Sequence, residues 1–418
     1  MDKMEGLLEN LNKEQLEAVK AVDGPVMVFA GAGTGKTRAL TARIAYMIQD
    51  KNIMPYNILA ITFTKKATNE MRERVSKIVG DKAKYINIST IHALCAKILR
   101  MGIEAIGYKK DFEIIDDEDA LKVINEIYKT ENIDRKYFSP KAALNIIGNY
   151  KIKDNYKLFA LQEKIYNSYQ KYLKEHNLVD FEDLLVLTKE VLLKDQKYLK
   201  HLQDKYQYIL VDEFQDTNPI QYEIVKMLAG DKQNLFVVGD DDQSIFSFTG
   251  ATVDNMYMFL DDFPKSQKII LDQNYRSSNM ILKGANSVIN NNSNREKKSL
   301  KGQNEGTFSD VVINEAYYFE DEARYVASEI KSLVKNGYDG NVNVYIGQEN
   351  AFEDLKDFTI ITYKQKINDK ELGTIGLIGP KRMDYKKVIP IIKYVGDALQ
   401  EKMKQGGSFD GREQSDES

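Results

Sequence analysis

An apolar run, PVMVFA (25–30), feeds straight into the glycine-rich segment AGAGTGKT (30–37), and a helical pattern begins near Thr37. The backbone N–H groups of such a turn, with those of the helix that follows, converge on an anion, so the order strand, glycine turn, helix leaves few folds open. The residues that would cradle phosphates are Ala30, Gly31, Ala32, Gly33, Thr34, Gly35, Lys36, Thr37 and Arg38. Lys36 would reach the outer phosphates and the Thr37 hydroxyl would ligate Mg²⁺. Ala30 stands where the strict pattern has glycine, a small residue that leaves room for the turn. The bland alternative is a glycine turn between strand and helix that binds nothing.

Five further runs have the same texture: ILAITF (58–63), YINIST (85–90), YILVDE (208–213), NLFVVGD (234–240) and KIILDQNY (268–275). They alternate with amphipathic helical patterns, which predicts an α/β fold with a parallel sheet. Several of them end in Gly, Asp or Thr, and ligands sit at strand ends in open sheets of this kind. VDEFQDTN (211–218) supplies acid at one such end. Asp212 would hold Mg²⁺ and Glu213 would orient and deprotonate an attacking water. A lone Asp-Glu pair is usually surface charge; behind a buried strand and beside a phosphate loop it reads as chemistry.

Composition narrows the setting. Lys and Arg number 59 against 63 Asp and Glu, a net charge of −4, which excludes a wholly basic coat but not a local groove. From 65 to 84 there are seven basic and three acidic residues, either a strand-binding stripe or a solvated helix face. No apolar run reaches the ~18 residues of a membrane span, and the start MDKMEGLLEN lacks the apolar core of a signal peptide. One cysteine, Cys95, fits a reducing bacterial cytoplasm, and the three scattered histidines, His92, His176 and His201, argue against a His/Cys metal site.

Strand signals stop between about 102 and 206, where Lys-, Tyr- and Leu-rich helical periodicity predicts a subdomain inserted into the sheet domain. Residues 290–306 are polar, a loop or hinge signal, and 320–335 form an amphipathic helix. VNVYIG, DFTIITYK and LGTIGLIGP then read as antiparallel strands, 384–404 as a long amphipathic helix, and 406–418 as a disordered tail.

At this point the chain resembles the UvrD/PcrA/Rep group of superfamily 1A DNA helicases, over about residues 7–336. LNKEQLEAV (11–19), AITFTKKATNEMRERV (60–75), STIHALCAKIL (89–99), DFEDLL (180–185), VGDDDQSIFSFTGA (238–251) and LDQNYRSS (271–278) fall in that family's order. The resemblance implies a RecA-like first lobe at 1–101 and 206–265, a helical insertion at 102–205, and the opening of a second RecA-like lobe at 266–340. It also implies that Gln15 reads adenine, Gln243 contacts the γ-phosphate, Tyr275 stacks on the base, and Arg276 reaches the γ-phosphate from across the lobe interface. Phe63, His92 and Phe248 would stack on bases of single-stranded DNA. Phe63 and Phe248 could instead be core aromatics, and His92 could merely cap its helix. Thr249 stands where the family usually has Arg, which removes a phosphate contact.

The family's two remaining second-lobe motifs are not found: TYKQKINDKELGTIG (362–376) has the wrong order, so the second lobe reads as incomplete. Instead VNVYIGQEN and ELGTIGLIGPKRMDYKKVI, within about 341–405, resemble the C-terminal part of HrcA, the heat-inducible transcription repressor, as a small α+β segment joined near 339–341. The expectation is an ATP- and Mg²⁺-binding protein of the helicase type. It would meet single-stranded DNA, or duplex with a 3′ single-stranded tail, hydrolyse ATP weakly, and unwind little. A non-catalytic, DNA-associated or HrcA-like regulatory protein, docking a partner through its C-terminal segment, is the competing reading.

Overall fold

The structure, a computed structural model, describes residues 3–136, 138–153, 156–243, 254–292, 295–303, 314–337, 342–346, 358–367, 370–380 and 394–395. The chain divides into two compact units, Met1–Asp310 and Val311–Ser418.

In the first unit α1 (Lys3–Glu9) and α2 (Lys13–Lys20) precede β1 (Val26–Ala30). Then come α3 (Lys36–Gln49), β2 (Ile58–Thr62), α4 (Lys65–Val79), β3 (Asn87–Thr90) and α5 (Ile91–Gly102). A short strand β4 (Glu113–Ile114) leads to α6 (Asp117–Thr130), α7 (Pro140–Ile152) and α8 (Ala160–Glu175), and β5 (Leu178–Val179) leads out to α9 (Phe181–Lys194) and α10 (Gln196–Lys205). The unit closes with β6 (Tyr208–Val211), α11 (Pro219–Ala229), β7 (Leu235–Gly239), α12 (Asp254–Asp262), β8 (Gln267–Leu271), β9 (Gln273–Asn274), α13 (Asn279–Ile289) and β10 (Lys301–Gly302).

Six strands form one sheet in the order β3-β2-β6-β7-β1-β8, every neighbour parallel. All six apolar runs named above are in it. Because side chains alternate along a strand, the central strands feed two cores. Met27, Phe29, Leu59, Ile61, Val211 and Val237 meet α5, α9, α11 and α12 on one face. Val26, Val28, Ile58, Ala60, Leu210 and Phe236 meet α2, α3 and α4 on the other.

The stretch expected as one insertion, 102–205, splits between cores. Ile124, Ile127, Ile147, Ile165, Tyr169 and Leu173 build a separate core within α6–α8. Leu184, Leu185, Val191 and Leu192 of α9, with Leu199 and Leu202 of α10, instead belong to the sheet's own core. The joint is polar and buried: Lys151, in the last turn of α7, lies 2.5 Å from Asp180 and 2.8 Å from Asp183. Asp180 caps α9 by accepting the Asp183 N–H at 2.8 Å, and takes the Tyr169 hydroxyl at 2.9 Å.

A second difference concerns 266–340. β8 is hydrogen-bonded to β1, from Val26↔Gln267 to Ala30↔Leu271, so the opening of the expected second lobe starts as a strand of the first sheet. The polar stretch read as a loop also carries β10, which pairs in parallel with β9.

In the second unit α14 (Phe319–Gly337) matches the expected amphipathic helix, and β11 (Val342–Ile346), β12 (Phe358–Ile367) and β13 (Lys370–Pro380) form the expected antiparallel sheet. The unit boundary at Asp310/Val311 lies before the join read at 339–341. Apart from 394–395, the expected helix 384–404 and the tail lie outside the described residues.

Candidate functional site

The glycine loop leaves the end of β1 and returns into α3. Gly33 and Gly35 have φ of 72° and 84°, left-handed values that only glycine adopts without cost. Side chains also crowd both positions: a Cβ on Gly33 would lie 2.7 Å from Arg276 Cβ and from Asn274 Nδ2, and one on Gly35 would lie 2.6 Å from Gln15 Nε2. Within the loop, Thr34 Oγ1 donates to the Gly31 carbonyl at 2.8 Å. Gln15 is fully buried; its Nε2 donates to the Thr34 carbonyl at 2.8 Å, and its Oε1 accepts from Asn12 N in a capping box at the start of α2. Arg38 donates to the Asn10 carbonyl at 2.8 Å.

Lys36, the first residue of α3, meets Glu213 across the sheet end, Nζ to Oε2, at 2.7 Å. Glu213 takes φ 49°, a left-handed turn for a non-glycine residue, just past the end of β6. Asp212 accepts the Glu213 N–H at 3.0 Å and is buried. Burial, and then the neighbouring Glu213 charge, push the Asp212 carboxyl up to about 7 against the pull of Lys36. Asp216 is lifted to about 6 by the same two causes in the same order.

Arg276 arrives by a different route from the one expected. The run that leaves β8 stays beside the loop: Asn274 Nδ2 donates to the Ala32 carbonyl at 2.5 Å and Tyr275 N–H to the Gly33 carbonyl at 2.9 Å. Asn274 Oδ1 in turn accepts from Arg276 N at 2.8 Å and Ser277 N at 2.7 Å. Tyr275 is 39% exposed. Arg276 is thus carried to the loop by the first sheet's own backbone, not across an interface.

Gln243 is turned inward, its side-chain amide donating to Asp240. Asp240, Asp241 and Asp242 form an acidic cluster, and Lys298 sits among all three, 2.9 Å from Asp240 and 2.7 Å from Asp242. Arg295 adds a bidentate pair to Asp242, both contacts at 2.8 Å. The ammonium and guanidinium take the place a cation would want there. These two residues come from the polar stretch read as a hinge, and their carboxylate partners could not be seen in it. Further along the same stretch, the Leu300 side chain fills the space that a Cβ on Gly31 would need.

Phe63 and His92 line one cavity of about 940 Å³. Phe63 is 37% exposed, so it is not a core residue. Thr90, not His92, caps α5 by accepting from Ala93 N. The His92 ring instead leans on Phe181, centroids 5.7 Å apart, and burial lowers its pKa. Phe181 is 51% exposed and lines the cavity too; it lies in DFEDLL, a segment to which the sequence assigned no site residue. The rest of the wall is mixed: carboxylates including Asp116, Asp117, Glu118, Glu182 and Asp216 alternate with apolar side chains such as Leu144, Ile147 and Ile152. A smaller cleft of about 220 Å³, beside the starts of α4 and α5, is lined by Lys65, Arg72, Ser89 and Thr90. The other basic residues of α4 divide: Arg74 and Lys77 are spent on Glu70 and Glu73 in exposed i,i+4 pairs. Phe248 and Thr249 lie outside the described residues. Cys95 is buried in the sheet core, its thiol pushed up to about 12 by that burial. No described helix is long and apolar enough to cross a membrane.

Known proteins share this arrangement of motifs. The profile of the UvrD/REP helicase N-terminal domain matches residues 11–264, and that of the HrcA protein C terminal domain matches residues 269–389. The ATP-dependent DNA helicase PcrA of Staphylococcus aureus is 44% identical over 346 residues, which cover 80% of this chain and 47% of the relative. PcrA of Staphylococcus epidermidis is 40% identical over 402 residues, 94% of this chain and 54% of the relative. The chain spans about half the length of the curated relatives it matches. The HrcA likeness begins well before 341, inside β8, and the longer staphylococcal match overlaps it. The hydrogen bonds of β8 put residues 269–271 in the glycine-loop sheet whichever likeness covers them.

Proposed function

The chain belongs to the UvrD/REP helicase family, and from that premise we propose that it binds ATP with Mg²⁺ at the glycine loop and single-stranded DNA along the cleft beside Phe63 and His92. The observation that carries the reading is the meeting of Lys36 and Glu213 at 2.7 Å, beside a loop against which Asn274–Arg276 is already laid. Lys36 sits at a helix N-terminus, where a phosphate is a better partner for the loop than a side-chain carboxylate is. Drawn to the phosphates, it would leave Glu213 free to orient water, with Arg276 and Gln243 near the outer phosphate, Gln15 toward adenine and Tyr275 against the base.

The donor set fits Mg²⁺. Asp212 is a buried carboxyl with a single backbone donor, held high by burial and by Glu213, and a divalent cation would offset both effects; Thr37 would add its hydroxyl. The ion would neutralise charge on the outer phosphates.

For DNA, the carboxylates in the wall repel phosphates and its apolar side chains accept ring faces, so the 940 Å³ cavity suits bases, stacked on Phe63, His92 and Phe181, with Phe248 as a further stacking residue. The backbone would run past Lys65 and Arg72. Movement in the 3′→5′ direction, on single strands or on duplex with a 3′ tail, is the activity this family reading implies. One of the two second-lobe motifs not found in these 418 residues is the Arg-rich helix that bears the family's second arginine finger, and loss of one arginine finger costs ~10³–10⁵ in rate. We therefore expect ATP and DNA binding with weak turnover, in the bacterial cytoplasm. ATP turnover with and without single-stranded DNA tests this. Vigorous DNA-stimulated turnover that Lys36→Ala abolishes would refute the weak-motor part, while equal nucleotide binding by Lys36→Ala would sink the site itself.

The HrcA match at 269–389 favours a second reading, in which the C-terminal segment docks a protein partner and the first unit serves only to hold DNA. That reading expects DNA affinity indifferent both to ATP and to Lys36→Ala.

A further inference from the structure

We infer that Gln215 is a positioning residue that ties the nucleotide site to the base-binding cavity through one side-chain amide. The inference rests on the ATP and DNA reading above and assigns the link between its two sites.

Gln215 is 2% exposed. Its Nε2 donates to Glu213 Oε2 at 3.0 Å and to Asp216 Oδ2 at 3.2 Å, and its Oε1 accepts the Asp240 N–H at 3.0 Å. The three partners fix the orientation of the amide: turned over, it would set its oxygen against two carboxylates and its N–H groups against an N–H. They lie on two loops, after β6 and after β7, and each leads elsewhere. Glu213 holds Lys36 through the same Oε2. Asp216 lines the cavity shared by Phe63 and His92, and its Oδ1 is buried with no partner among the described residues. Asp240 accepts from the Gln243 amide.

The seat is also shaped for this side chain. A Cβ on Gly239 would come within 2.7 Å of Gln215 Oε1, so glycine at the end of β7 lets the amide reach the backbone of Asp240. If phosphates draw Lys36 away, Glu213 keeps Gln215 as its remaining donor. Any shift of Glu213 is then felt at once by the cavity wall through Asp216 and by Gln243 through Asp240. A buried network whose members share one amide transmits displacement because no member can move without orphaning another.

The experiment measures the affinity of the full chain for a fluorescent oligothymidylate with and without a non-hydrolysable ATP analogue and Mg²⁺. In the wild type the analogue shifts DNA affinity about fivefold or more, the ordinary range of a coupling factor. In Gln215→Leu, of similar volume and without polar atoms, each ligand alone still binds, and the factor by which one alters the affinity of the other falls to about one. Gln215→Glu keeps the acceptor for Asp240 but sets a third carboxylate against Glu213 and Asp216; it should also lose the coupling, and it carries the test if the leucine variant melts early. Wild-type coupling retained in either folded variant overturns the inference. If the analogue fails to bind the wild type, or binds Lys36→Ala equally well, the ATP reading falls and takes the inference with it.

Discussion

Of the lysines in the first unit that face carboxylates, Lys151 and Lys36 sit in opposite surroundings. Lys151 and its partners Asp180 and Asp183 are sealed, with side chains 1%, 7% and 1% exposed; Lys36 and Glu213 are 11% and 36% exposed. Lys151 lies in the last turn of α7 and Asp180 caps the start of α9, so each charge agrees with its helix dipole. Lys36 opens α3, where a cation opposes the dipole. The first arrangement agrees with both helix ends and pairs the ammonium with two carboxylates, leaving Asp183 Oδ2 as a buried oxygen without a partner among the described residues, and it holds α7 of the insertion against the sheet lobe. The second is a cation held in an anion's place by a neighbour that can let go. A buried pair becomes structure when helix ends and hydrogen bonds agree with it, and becomes a site when they do not.

Lys151→Met attacks the sealed side and should have the largest effect. It leaves two buried carboxylates uncompensated, a loss of about 3–5 kcal/mol in denaturant unfolding. The loss should depend on pH. Burial already lifts Asp183 above the usual carboxylate range while Lys151 pulls it down, so without Lys151 the lift grows. A carboxyl whose folded pKa exceeds its unfolded value binds more protons when folded, so stability falls as pH rises. The variant should therefore be more stable near pH 5 than near pH 8, and equal loss at both would break the account.

Gly33→Ala should come next, at about 1–3 kcal/mol, from its left-handed φ and the crowding by Asn274 and Arg276. Gly24→Ala, at φ 81° in open space, isolates the backbone share, and thermal melts of the two should separate the terms. The smallest change in stability belongs to Lys36→Met, about 0–1 kcal/mol, because Glu213 reaches solvent and keeps Gln215 as a donor while the lysine charge opposes the α3 dipole. That variant should nevertheless lose the thermal shift that ATP with Mg²⁺ gives the wild type. A large loss of stability from Lys36→Met would mean that the open pair is also structural.

The strands were legible because Ile, Val and Phe runs ending in Gly or Asp are the mark of a parallel sheet buried on both faces, and the antiparallel strands of the second unit showed in their alternation. What periodicity does not encode is which core a helix joins. FEDLLVLTKEVLL is apolar enough for either core, and only the packing of Leu184 and Leu185 under the sheet assigns α9. The second-lobe opening at 266–340 came from the resemblance, and no local pattern shows that its first strand belongs to the glycine-loop sheet, since the pairing of β8 with β1 spans a separation that local pattern cannot register. Of the site, the loop, Asp212 and Glu213 were readable from types and spacing. Gln215, Phe181 and Lys298 were not, because each acts through partners distant in sequence or hidden by the obvious motif beside it.

The pairing of β8 with β1 also acts as a length standard. Ala30 is opposite Leu271, and counting onward by the same offset puts Gly33 opposite Asn274, where the Tyr275 N–H does meet the Gly33 carbonyl. The position of the Arg276 backbone is therefore measured out by the number of residues that follow the paired strand, and its own hydrogen bond to Asn274 Oδ1 only fixes the turn there. Removing a single residue between Leu271 and Asn274 would leave every residue of the glycine loop untouched and still put the arginine out of step with it, an error of counting rather than of chemistry.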